Sequence, residues 1–397
     1  MRDEMKKVPR LRFRGFQEDW ELCKLSSLMS FSNGINAPKE NYGKGRKMIS
    51  VMDILDEHPV KYEYIRNSVQ VNEEIESKNK VEYGDLVFVR SSEVPEEVGW
   101  AKAYLEEEYA LYSGFSIRGK KTNEFNSHFV ELTLNSINRK QIERKAGGST
   151  RFNVSQTILN SLELLVPKIE EQNKISYLFK KLDDTIALHQ RKLDQLKELK
   201  KAYLQVMFPA KDERVPKLRF ADFEGEWEQC KLEDLANKYN NLRIPITASK
   251  RIYGNTPYYG ANGIQDFVEG YTHDGEFILV AEDGASNLKD YPVQYVNGKV
   301  WVNNHAHVLQ AKRSKADNKF LMNAIKSINI EPFLVGGGRS KLNSEVMMNL
   351  EINTPSKDEQ LKISTLCKQL DDITALYQNK LNQLKNLKKS YLQNMFI

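Results

Sequence analysis

The chain has 397 residues, of which 40% are hydrophobic and 28% are charged, and its formal net charge is +5. This composition is typical of a folded protein with two or three domains. It excludes a disordered chain and a membrane protein, because no apolar run approaches the roughly 18–20 residues that cross a bilayer. Three widely separated cysteines and a charged N-terminal sequence without an apolar stretch predict a reducing compartment, and we expect the cytoplasm.

The first predicted element is an opening motif, "VPRLRFRGFQEDWELCKL" at residues 8–25, which returns as "VPKLRFADFEGEWEQCKL" at residues 215–232. A repeated motif predicts two copies of one structural plan. We expect four aromatic residues at matched positions to anchor the cores that follow: Phe16 and Trp20 in the first copy, Phe223 and Trp227 in the second. The alternative is that the tryptophans contact a partner protein.

Each opening motif is followed by a region whose sequence differs between the copies. Short apolar runs such as "LVFVR", "FSIRG", "FILVA" and "KVWVNN" predict the strands of a compact mixed sheet with flanking helices. Each region closes with a Gly-rich loop, a helix N-cap at Ser155 or Asn343, a short helix and an apolar strand before Pro167 or Pro355. The predicted fold class is α/β (α+β), with two tandem globular domains.

A long helix is predicted after each variable region. The sequences "LDDTIALHQRKLDQLKELKKAYLQVMF" (182–208) and "LDDITALYQNKLNQLKNLKKSYLQNMF" (370–396) share 19 of 27 residues. Apolar residues recur in both at a spacing of three or four, as in a coiled coil. The apolar stripe is interrupted at four positions: His189, Lys200, Thr374 and Lys388. A helix of roughly 60 Å needs a partner along most of its length.

Two near-identical helices in one chain are natural partners for each other. We expect them to pack as an antiparallel coiled coil, with one domain at each end and pseudo-two-fold symmetry. Pairing between two chains, which would make a homodimer, is the alternative. The predicted division is a first domain at 1–164, a central helix at 165–208, a second domain at 209–352 and a C-terminal helix at 353–397.

The sequence shows none of the common catalytic motifs. It lacks a phosphate-binding G-x-x-x-x-G-K-[ST] loop, a Gly-x-Gly-x-x-Gly turn after a strand and the Asn/Asp-Pro-Pro-Tyr/Phe stretch of amino-methyltransferases. His305 and His307 could share one strand face, but no third ligand lies nearby in sequence, so we expect no metal site. We therefore expect a non-catalytic chain without a cofactor. An enzyme such as a fused methyltransferase is the less favoured alternative.

Together these motifs resemble the specificity subunit of type I restriction–modification systems over nearly the whole chain. The resemblance rests on the two opening motifs, the helix ends "YLQVMF" and "YLQNMF", and the Pro-x-x-x-Glu-Gln junctions at Pro167–Gln172 and Pro355–Gln360. The stretches "PYYGANGIQDFVEGYTHDGEFILVAEDG" and "VWVNNHAHVL" are similar to a recurring target-recognition domain. In combination these motifs are specific for this family.

The resemblance implies a non-catalytic subunit that binds double-stranded DNA and no membrane. Each variable region would be a target-recognition domain that reads one half of a bipartite, asymmetric site. The helices would set the unread spacer and dock two modification subunits, which carry the S-adenosylmethionine chemistry. Two restriction subunits would use ATP and magnesium to translocate and cut. The alternative is a coiled-coil scaffold that binds only protein partners.

Contact residues in this family vary with the target, so we choose candidate DNA-binding residues by chemistry. Asn and Gln suit adenine, Arg and Lys suit guanine, and basic or hydroxyl groups hold phosphates. The candidates in the first domain are Lys44, Arg46, Lys47, Arg90, Ser91, Ser92, Arg144, Lys145 and Arg151. The candidates in the second domain are Tyr258, Tyr259, Asn262, Ser286, Asn287, Lys289, Asn303, Asn304, His305, Arg339 and Lys341. For each residue the alternative is an ordinary polar loop or turn. A scaffold predicts that charge reversal at Arg90, Arg151 and Arg339 leaves function intact.

A helix that sets the spacer should impose its length on the DNA site. Inserting about four residues, one helical turn, between Thr185 and Lys200 should change the number of unread base pairs between the half-sites. Mapping of the methylated positions would measure that number in the wild type and in the insertion variant. An unchanged spacer would show that this helix does not set it.

Overall fold

Short strands and helices alternate through the first variable region, as its apolar runs predict. The structure is a computed structural model and describes residues 7–148, 150–210, 212–336 and 340–397. The strands of this region are β1 (Glu21–Lys24), β2 (Met29–Asn33), β3 (Tyr42–Ile49), β4 (Asn67–Val69), β5 (Leu86–Val89), β6 (Ser91–Ser92), β7 (Ala101–Ala103), β8 (Leu111–Tyr112), β9 (Ser116–Lys121), β10 (Phe152–Asn153) and β11 (Glu163–Val166). The short helices are α1 (Val51–Ile54), α2 (Glu73–Lys78), α3 (Ser127–Asn135), α4 (Arg139–Lys145) and α5 (Gln156–Asn160).

The strands of the first region divide between two main sheets and two strand pairs. The sheets have the orders β2-β9-β5-β7 and β4-β3-β8, while β1 pairs with β11 and β6 with β10. Strand β5 lies inside the larger sheet, and all four of its residues are buried. A short continuous apolar run is the expected sequence of such a strand, because both of its faces are covered.

The long helix α6 (Ile169–Met207) follows, and a second variable region comes after it. The strands of that region are β12 (Glu228–Lys231), β13 (Ala236–Lys238), β14 (Tyr253–Gly260), β15 (Gly263–Val268), β16 (His273–Ala281), β17 (Val293–Val302), β18 (Ala306–Ala311), β19 (Leu334–Val335), β20 (Lys341–Leu342) and β21 (Glu351–Thr354). The helices are α7 (Leu232–Leu235), α8 (Asn318–Ser327), α9 (Ser344–Met348) and the second long helix, α10 (Lys357–Asn394).

A six-stranded sheet forms the centre of the second region. Its order is β13-β18-β16-β17-β14-β15, and its pairs are antiparallel except for the parallel pair β14–β17. Helix α8 packs on this sheet with six consecutive buried residues. The predicted N-caps are confirmed in both regions, since Ser155 and Asn343 accept hydrogen bonds from backbone N–H groups of α5 and α9.

Two compact units make up the fold. The first contains the residues up to Leu188 together with Lys380–Ile397, and the second contains His189–Asn379. Each unit therefore holds one variable region and a part of both long helices. The division at 1–164, 165–208, 209–352 and 353–397 stays a prediction. It treats each long helix as a segment of its own, whereas each compact unit contains parts of both helices.

Within each unit α6 and α10 are in contact and run antiparallel. In the first unit the Nζ of Lys388 lies 2.5 Å from the Oδ1 of Asp183. In the second unit the Nζ of Lys200 lies 2.5 Å from the Oδ1 of Asp371. An earlier residue of one helix meets a later residue of the other in both cases, which confirms antiparallel pairing within one chain. The two lysines that interrupt the apolar stripe thus form interhelical ion pairs.

The predicted apolar seam lies along the inner faces of the two helices. Its buried members in α6 and α10 are Ile175, Phe179, Leu182, Leu193 and Met207, and Ile363, Cys367, Leu370 and Leu381. His189, a further interruption of the stripe, faces the ring of Tyr377 at 5.7 Å between ring centroids. The helices therefore remain in contact at three of the four polar positions, His189, Lys200 and Lys388, through ion pairs and a ring contact.

An arginine of each opening motif binds the start of the long helix that follows its domain. The Nε and Nη2 of Arg12 donate to the two carboxylate oxygens of Glu171 at 2.7 and 2.8 Å. Arg219 makes the same pair of bonds to Glu359, both at 2.8 Å. Both glutamate side chains are only 1% exposed. A buried carboxylate requires such bidentate, charge-assisted bonds, and this explains the Glu of each Pro-x-x-x-Glu-Gln junction.

The glutamine of each junction ties the same helix start to the domain. The Oε1 of Gln172 accepts a hydrogen bond from the backbone N–H of Asn126, which is the N-cap of α3. The Oε1 of Gln360 accepts one from the N–H of Asp317, the N-cap of α8. In both cases the glutamine Nε2 donates to the carbonyl oxygen of the junction's own proline. The repeated Glu-Gln pair is therefore a structural joint between the domain and the helix.

The residue pair that follows α10 completes the core of the first unit. Met395 and Phe396 are both buried there. The ring centroid of Phe396 lies 6.5, 5.5 and 5.7 Å from those of three aromatic residues: Trp20, Phe129 and Phe179. The first domain thus depends for its core on a segment more than two hundred residues away along the chain.

The second unit repeats this arrangement with the residues at the end of α6. The ring of Phe208 lies 6.0 Å from that of Trp227 and 5.6 Å from that of Phe320. Trp227, like Trp20 in the first unit, is 1% exposed. Both tryptophans are therefore confirmed as core anchors.

The expectation that Phe16 and Phe223 share this role is wrong. Both rings are partly exposed, and they lie 4.8 and 5.0 Å from the ammonium groups of Lys174 and Lys362 on the long helices. A cation over an aromatic face is favourable at a partly solvated position. Phe16 and Phe223 therefore cover the helix surface and do not enter the cores.

Removing one of the core rings at a helix end should destabilise one unit selectively. Phe396→Ala should destabilise the first unit by about 3–5 kcal/mol, and Phe208→Ala the second by a similar amount, because each leaves a cavity among aromatic rings. Hydrogen exchange measured by mass spectrometry should accelerate in β5 for the first variant and in β16 for the second. Ile397→Ala, which alters a partly buried neighbour, is the control with a smaller effect. Equal acceleration in both strands would contradict the separate cores.

Candidate nucleic-acid interface

Strand β3 carries three candidate residues of the first domain. Lys44 is exposed and makes no hydrogen bond or ion pair with another described residue. Arg46 is held within the domain, since it donates to Glu108 at 2.7 Å and lies 4.3 Å from the ring centroid of Tyr109. The Nζ of Lys47 donates to a backbone carbonyl oxygen at 2.8 Å. Of these three side chains, Lys44 is the one available to a ligand.

The pairing of β6 with β10 brings a second set of candidates together. The Nε of Arg151 donates to the Oγ of Ser91 at 2.7 Å, and the hydroxyl of Ser92 donates to Glu97 at 2.6 Å. Arg90 donates to a backbone carbonyl oxygen at 3.3 Å. All four side chains are therefore engaged within the domain, and Arg151 is the exposed one among them.

The last candidates of the first domain lie at the end of α4. Arg144 is exposed and has no partner among the described residues. Lys145 donates to the carbonyl oxygen and the hydroxyl of Ser161, at 2.8 and 3.0 Å. Arg144 is therefore available to a phosphate or a base, whereas Lys145 ties α4 to the following loop.

The "PYYGANG" stretch of the second domain is mostly structural. Tyr258 is 1% exposed, and its hydroxyl accepts a hydrogen bond from a backbone N–H at 3.0 Å, so the ring lies inside the domain. Tyr259 is half-buried, and burial raises the pKa of its hydroxyl. Asn262 donates to a backbone carbonyl oxygen and accepts from the N–H of Ser286, which joins two loops.

The neighbouring loop contains three further candidates. Ser286, Asn287 and Lys289 are all exposed. The side-chain oxygen of Asn287 accepts hydrogen bonds from the N–H groups of Lys289 and Asp290, at 2.9 and 3.1 Å. Asn287 thus shapes the turn, while the ammonium group of Lys289 has no partner in the described part of the chain.

A partly buried carboxylate organises the candidates near β18. Glu282 accepts from the Nη1 of Arg243 at 2.6 Å and pairs with the Nζ of Lys341 at 2.9 Å. His307 is fully buried beside them, and burial lowers its pKa. The neutral ring suits its partners, because Nε2 donates to a backbone carbonyl oxygen while Nδ1 accepts from Asn240. Lys341 therefore balances an internal charge.

The polar residues before β18 divide between the interior and the surface. Asn303 is 3% exposed, and its oxygen accepts from the N–H of His305. The Nδ1 of His305 lies 2.6 Å from the Oδ1 of Asp283. Asn304 is exposed, and its side chain has no partner within the described ranges. Arg339, the remaining candidate, lies outside the described residues.

His305 and His307 engage different partners and do not converge on one point. Across residues 7–148, 150–210, 212–336 and 340–397 no group of three or more His, Cys, Asp or Glu side chains could hold a metal ion. A search of the same residues shows no helix that is long and apolar enough to cross a membrane.

The second domain also presents polar side chains that the residue choice above omits. No Asp or Glu occurs between Asp234 and Asp266, whereas four basic residues do: Lys238, Arg243, Lys250 and Arg251. Lys250 and Asn255 are exposed and have no partner among the described residues. Charge patterning is the signal that could have found them, because an acid-free stretch with several cations is typical of a surface that meets phosphates.

Comparisons with known proteins agree with this architecture. The profile of the type I restriction modification DNA specificity domain matches residues 17–198 and 224–386. A Haemophilus influenzae protein provisionally named a type I restriction enzyme specificity subunit is 46% identical over 153 residues, which are 38% of each chain.

Solved structures show the same fold along the whole chain. The crystal structure of a type I restriction–modification S subunit from M. genitalium has a TM-score of 0.66 at 15% identity, and the match covers 98% of this chain and 99% of that one. A chain from a structural study of complex assembly in a type I system has a TM-score of 0.55 at 13% identity, with 95% and 97% covered. At these identities the likeness establishes the fold.

A mixed α/β fold with two recognition domains and a pair of long helices in contact defines a class of DNA-specificity proteins. This chain belongs to the type I restriction–modification DNA specificity family. It is a specificity subunit, the non-catalytic component of such a system.

The Arg243–Glu282 pair should matter for the stability of the second unit. Burial raises the pKa of Glu282, but hydrogen bonds from Arg243 and Lys341 outweigh it, so the pKa is lowered. This stabilisation is present above a pH of about 4.5 and is lost as the pH falls through the lowered pKa. Arg243→Ala should cost about 1–3 kcal/mol at pH 7 and reduce the difference in stability between pH 7 and acid, because it leaves a partly buried carboxylate paired with Lys341 alone.

Urea denaturation as a function of pH, followed by hydrogen exchange in β16 and β18, would measure both effects. Arg313→Ala removes an exposed arginine of the same domain and should change stability by less than about 0.5 kcal/mol. Equal losses in the two variants would refute the role given to Arg243.

Proposed function

We propose that this chain reads the DNA sequence for a type I restriction–modification complex. Each of its two domains binds one half of a bipartite, asymmetric site in double-stranded DNA. The observation that carries this proposal is one scaffold used twice with two different polar surfaces. The Arg–Glu pair, the glutamine joint and the buried tryptophan are the same in both domains.

The exposed side chains without a described partner differ between the domains. Among them are Lys44 and Arg144 in the first domain, and Lys250, Asn255, Lys289 and Asn304 in the second. Lysine and arginine match the acceptors on guanine and the phosphates, whereas asparagine matches the donor and acceptor of adenine. Different side chains on a shared scaffold support the reading of two different half-sites.

The paired helices set the number of base pairs between the half-sites. Helix α6 has 39 residues and extends about 58 Å at 1.5 Å per residue. Its ion pairs and apolar seam with α10 stiffen it in both units. A stiff element of constant length supports a constant spacer, since a flexible linker would tolerate several.

The same helices dock the partner subunits. Four leucines point outward at positions matched between the helices and are 40–66% exposed: Leu188 and Leu199 in α6, Leu376 and Leu387 in α10. Exposed apolar side chains in a repeated pattern favour a protein interface that is used twice. We assign it to two modification subunits, which bring S-adenosylmethionine and methylate adenine, and two restriction subunits join with ATP and magnesium. The complex acts on DNA in the cytoplasm, and this chain itself binds no cofactor.

Footprinting of the chain together with its cognate modification subunits tests the proposal. We expect two protected segments separated by a spacer of constant length, because each domain contacts its own half-site. The modification subunits without this chain should protect no particular sequence. Charge reversal at Arg144, Arg→Glu, should weaken protection of one segment about tenfold or more at physiological salt, because it removes one contact and adds repulsion. A coiled-coil scaffold predicts no protected site and no effect of the reversal.

A further inference from the structure

A β-bulge interrupts strand β3 at its start. Tyr42 and Arg46 both pair with Val69 of β4, so the residues between them, Gly43–Gly45, are left out of the pairing. A Cβ on Gly45 would lie 2.6 Å from the carbonyl oxygen of Val69, and the φ angle of Gly45 is +77°. This position therefore requires glycine. Lys44 is the middle residue of the bulge, and its side chain is exposed.

Strand β14 of the second domain contains the same device. Tyr253 and Thr256 both pair with Val268 of β15, which leaves Gly254 and Asn255 out of the pairing. A Cβ on Gly254 would lie 2.4 Å from the carbonyl oxygen of Val268, so the close approach again needs glycine. The bulge presents Asn255.

The surroundings of the two bulges match in further details. A backbone hydrogen bond of 2.9 Å precedes each bulge, from Gln70 to Asn41 in the first domain and from Glu269 to Ile252 in the second. Beyond the bulge each strand pairs in parallel with a further strand, β3 with β8 and β14 with β17. The backbone device is therefore common to both domains, while the side chain at its tip differs.

We propose that the two bulges are base-reading positions, at which Lys44 selects guanine in one half-site and Asn255 selects adenine in the other. This inference rests on the proposed function, because it names the residues of the half-site contacts. A lysine ammonium donates to the O6 and N7 acceptors of guanine, and an asparagine amide accepts from N6 and donates to N7 of adenine. Bulges commonly re-aim a side chain at a functional site.

The exposure of the two side chains and their lack of partners among the described residues support this role. Both Lys44 and Asn255 are exposed, and neither makes a hydrogen bond or an ion pair with any described residue. A side chain that only stabilised its bulge would bond to the turn, as Asn287 does in its own loop. These two donors are therefore available to a ligand.

The neighbourhood of the second bulge favours nucleic acid as that ligand. Lys250 is exposed within the stretch that contains no acidic residue, whereas the neighbouring Arg251 is held within the domain by Asp266 at 3.3 Å and by the ring of Tyr258. Tyr253 is 84% exposed, the largest fraction among the large hydrophobic side chains of the described chain. An available lysine beside an exposed aromatic ring suits phosphates and base faces, whereas a protein partner would need an acidic patch of its own.

Methylation mapping with single-base resolution tests the inference in the complex with the modification subunits. Lys44→Ala should reduce discrimination at one base pair of one half-site by roughly tenfold, and Asn255→Ala should do the same in the other half-site. The spacer and the remaining bases should stay the same. Lys44→Arg and Asn255→Gln should keep the wild-type preference, because arginine also matches guanine and glutamine also matches adenine.

Two matched substitutions away from the bulges are the controls. Lys120→Ala changes an exposed lysine of β9 in the other sheet of the first domain, and Asn237→Ala changes an exposed asparagine of β13, at the far edge of the six-stranded sheet. Both should leave the methylated motif unchanged. Thermal denaturation and gel filtration of each variant complex should match the wild type, since all four side chains lie on the surface.

Each remaining outcome has one meaning. An unchanged motif in Lys44→Ala and Asn255→Ala overturns the inference. Uniformly weaker methylation with the same motif also overturns it, because that result indicates phosphate contacts. If the wild-type complex methylates no bipartite motif, the proposed function itself fails. If an alanine variant does not assemble, the corresponding Lys44→Arg or Asn255→Gln variant decides. A retained base preference supports the inference, and an altered base preference at another position overturns it.

Discussion

The buried Arg–Glu pair between each opening motif and the start of the following long helix is the interaction on which the rest of the structure depends. Glu171 and Glu359 are almost completely removed from water, which is costly for a carboxylate unless a matched cation replaces its hydration. Arg12 and Arg219 do this with two bonds each, so the direction of the opening motif relative to the helix is defined. The glutamine next to each glutamate then aligns the domain through a helix N-cap.

The duplicated helix follows from a second requirement of burial, that of its apolar stripe. A helix of this length buries its apolar stripe only against a second long helix, and α6 and α10 provide this for each other. Their ends have another role, because Phe396 fills the core around Trp20 and Phe208 fills the core around Trp227. Each domain is therefore completed by the helix of the other repeat, and neither repeat is self-sufficient.

Residue chemistry proposes the candidate contact residues, and the structure shows which of their side chains are exposed and which are already engaged. Lys44, Arg144 and Asn304 are exposed as a contact residue requires, but Tyr258 lies in the interior and Arg46 is held by Glu108. Residue type states which hydrogen bonds a side chain can make. It does not state whether neighbours distant in sequence already satisfy them. Asn255 illustrates the converse, because its exposure follows from a register shift that local sequence does not reveal.

The sequence by itself determined the repeated plan, the long helices, the N-caps and the tryptophan anchors, because periodicity and matched motifs are local properties of a chain. Tertiary structure alone decided which polar groups are free. Glu282, for example, forms ion pairs with both Arg243 and Lys341, which lie far from it in sequence. It also placed Phe396 in the first core and Phe16 outside it. The physical reason is the same in each case: burial and charge compensation depend on contacts between segments that only the folded chain brings together.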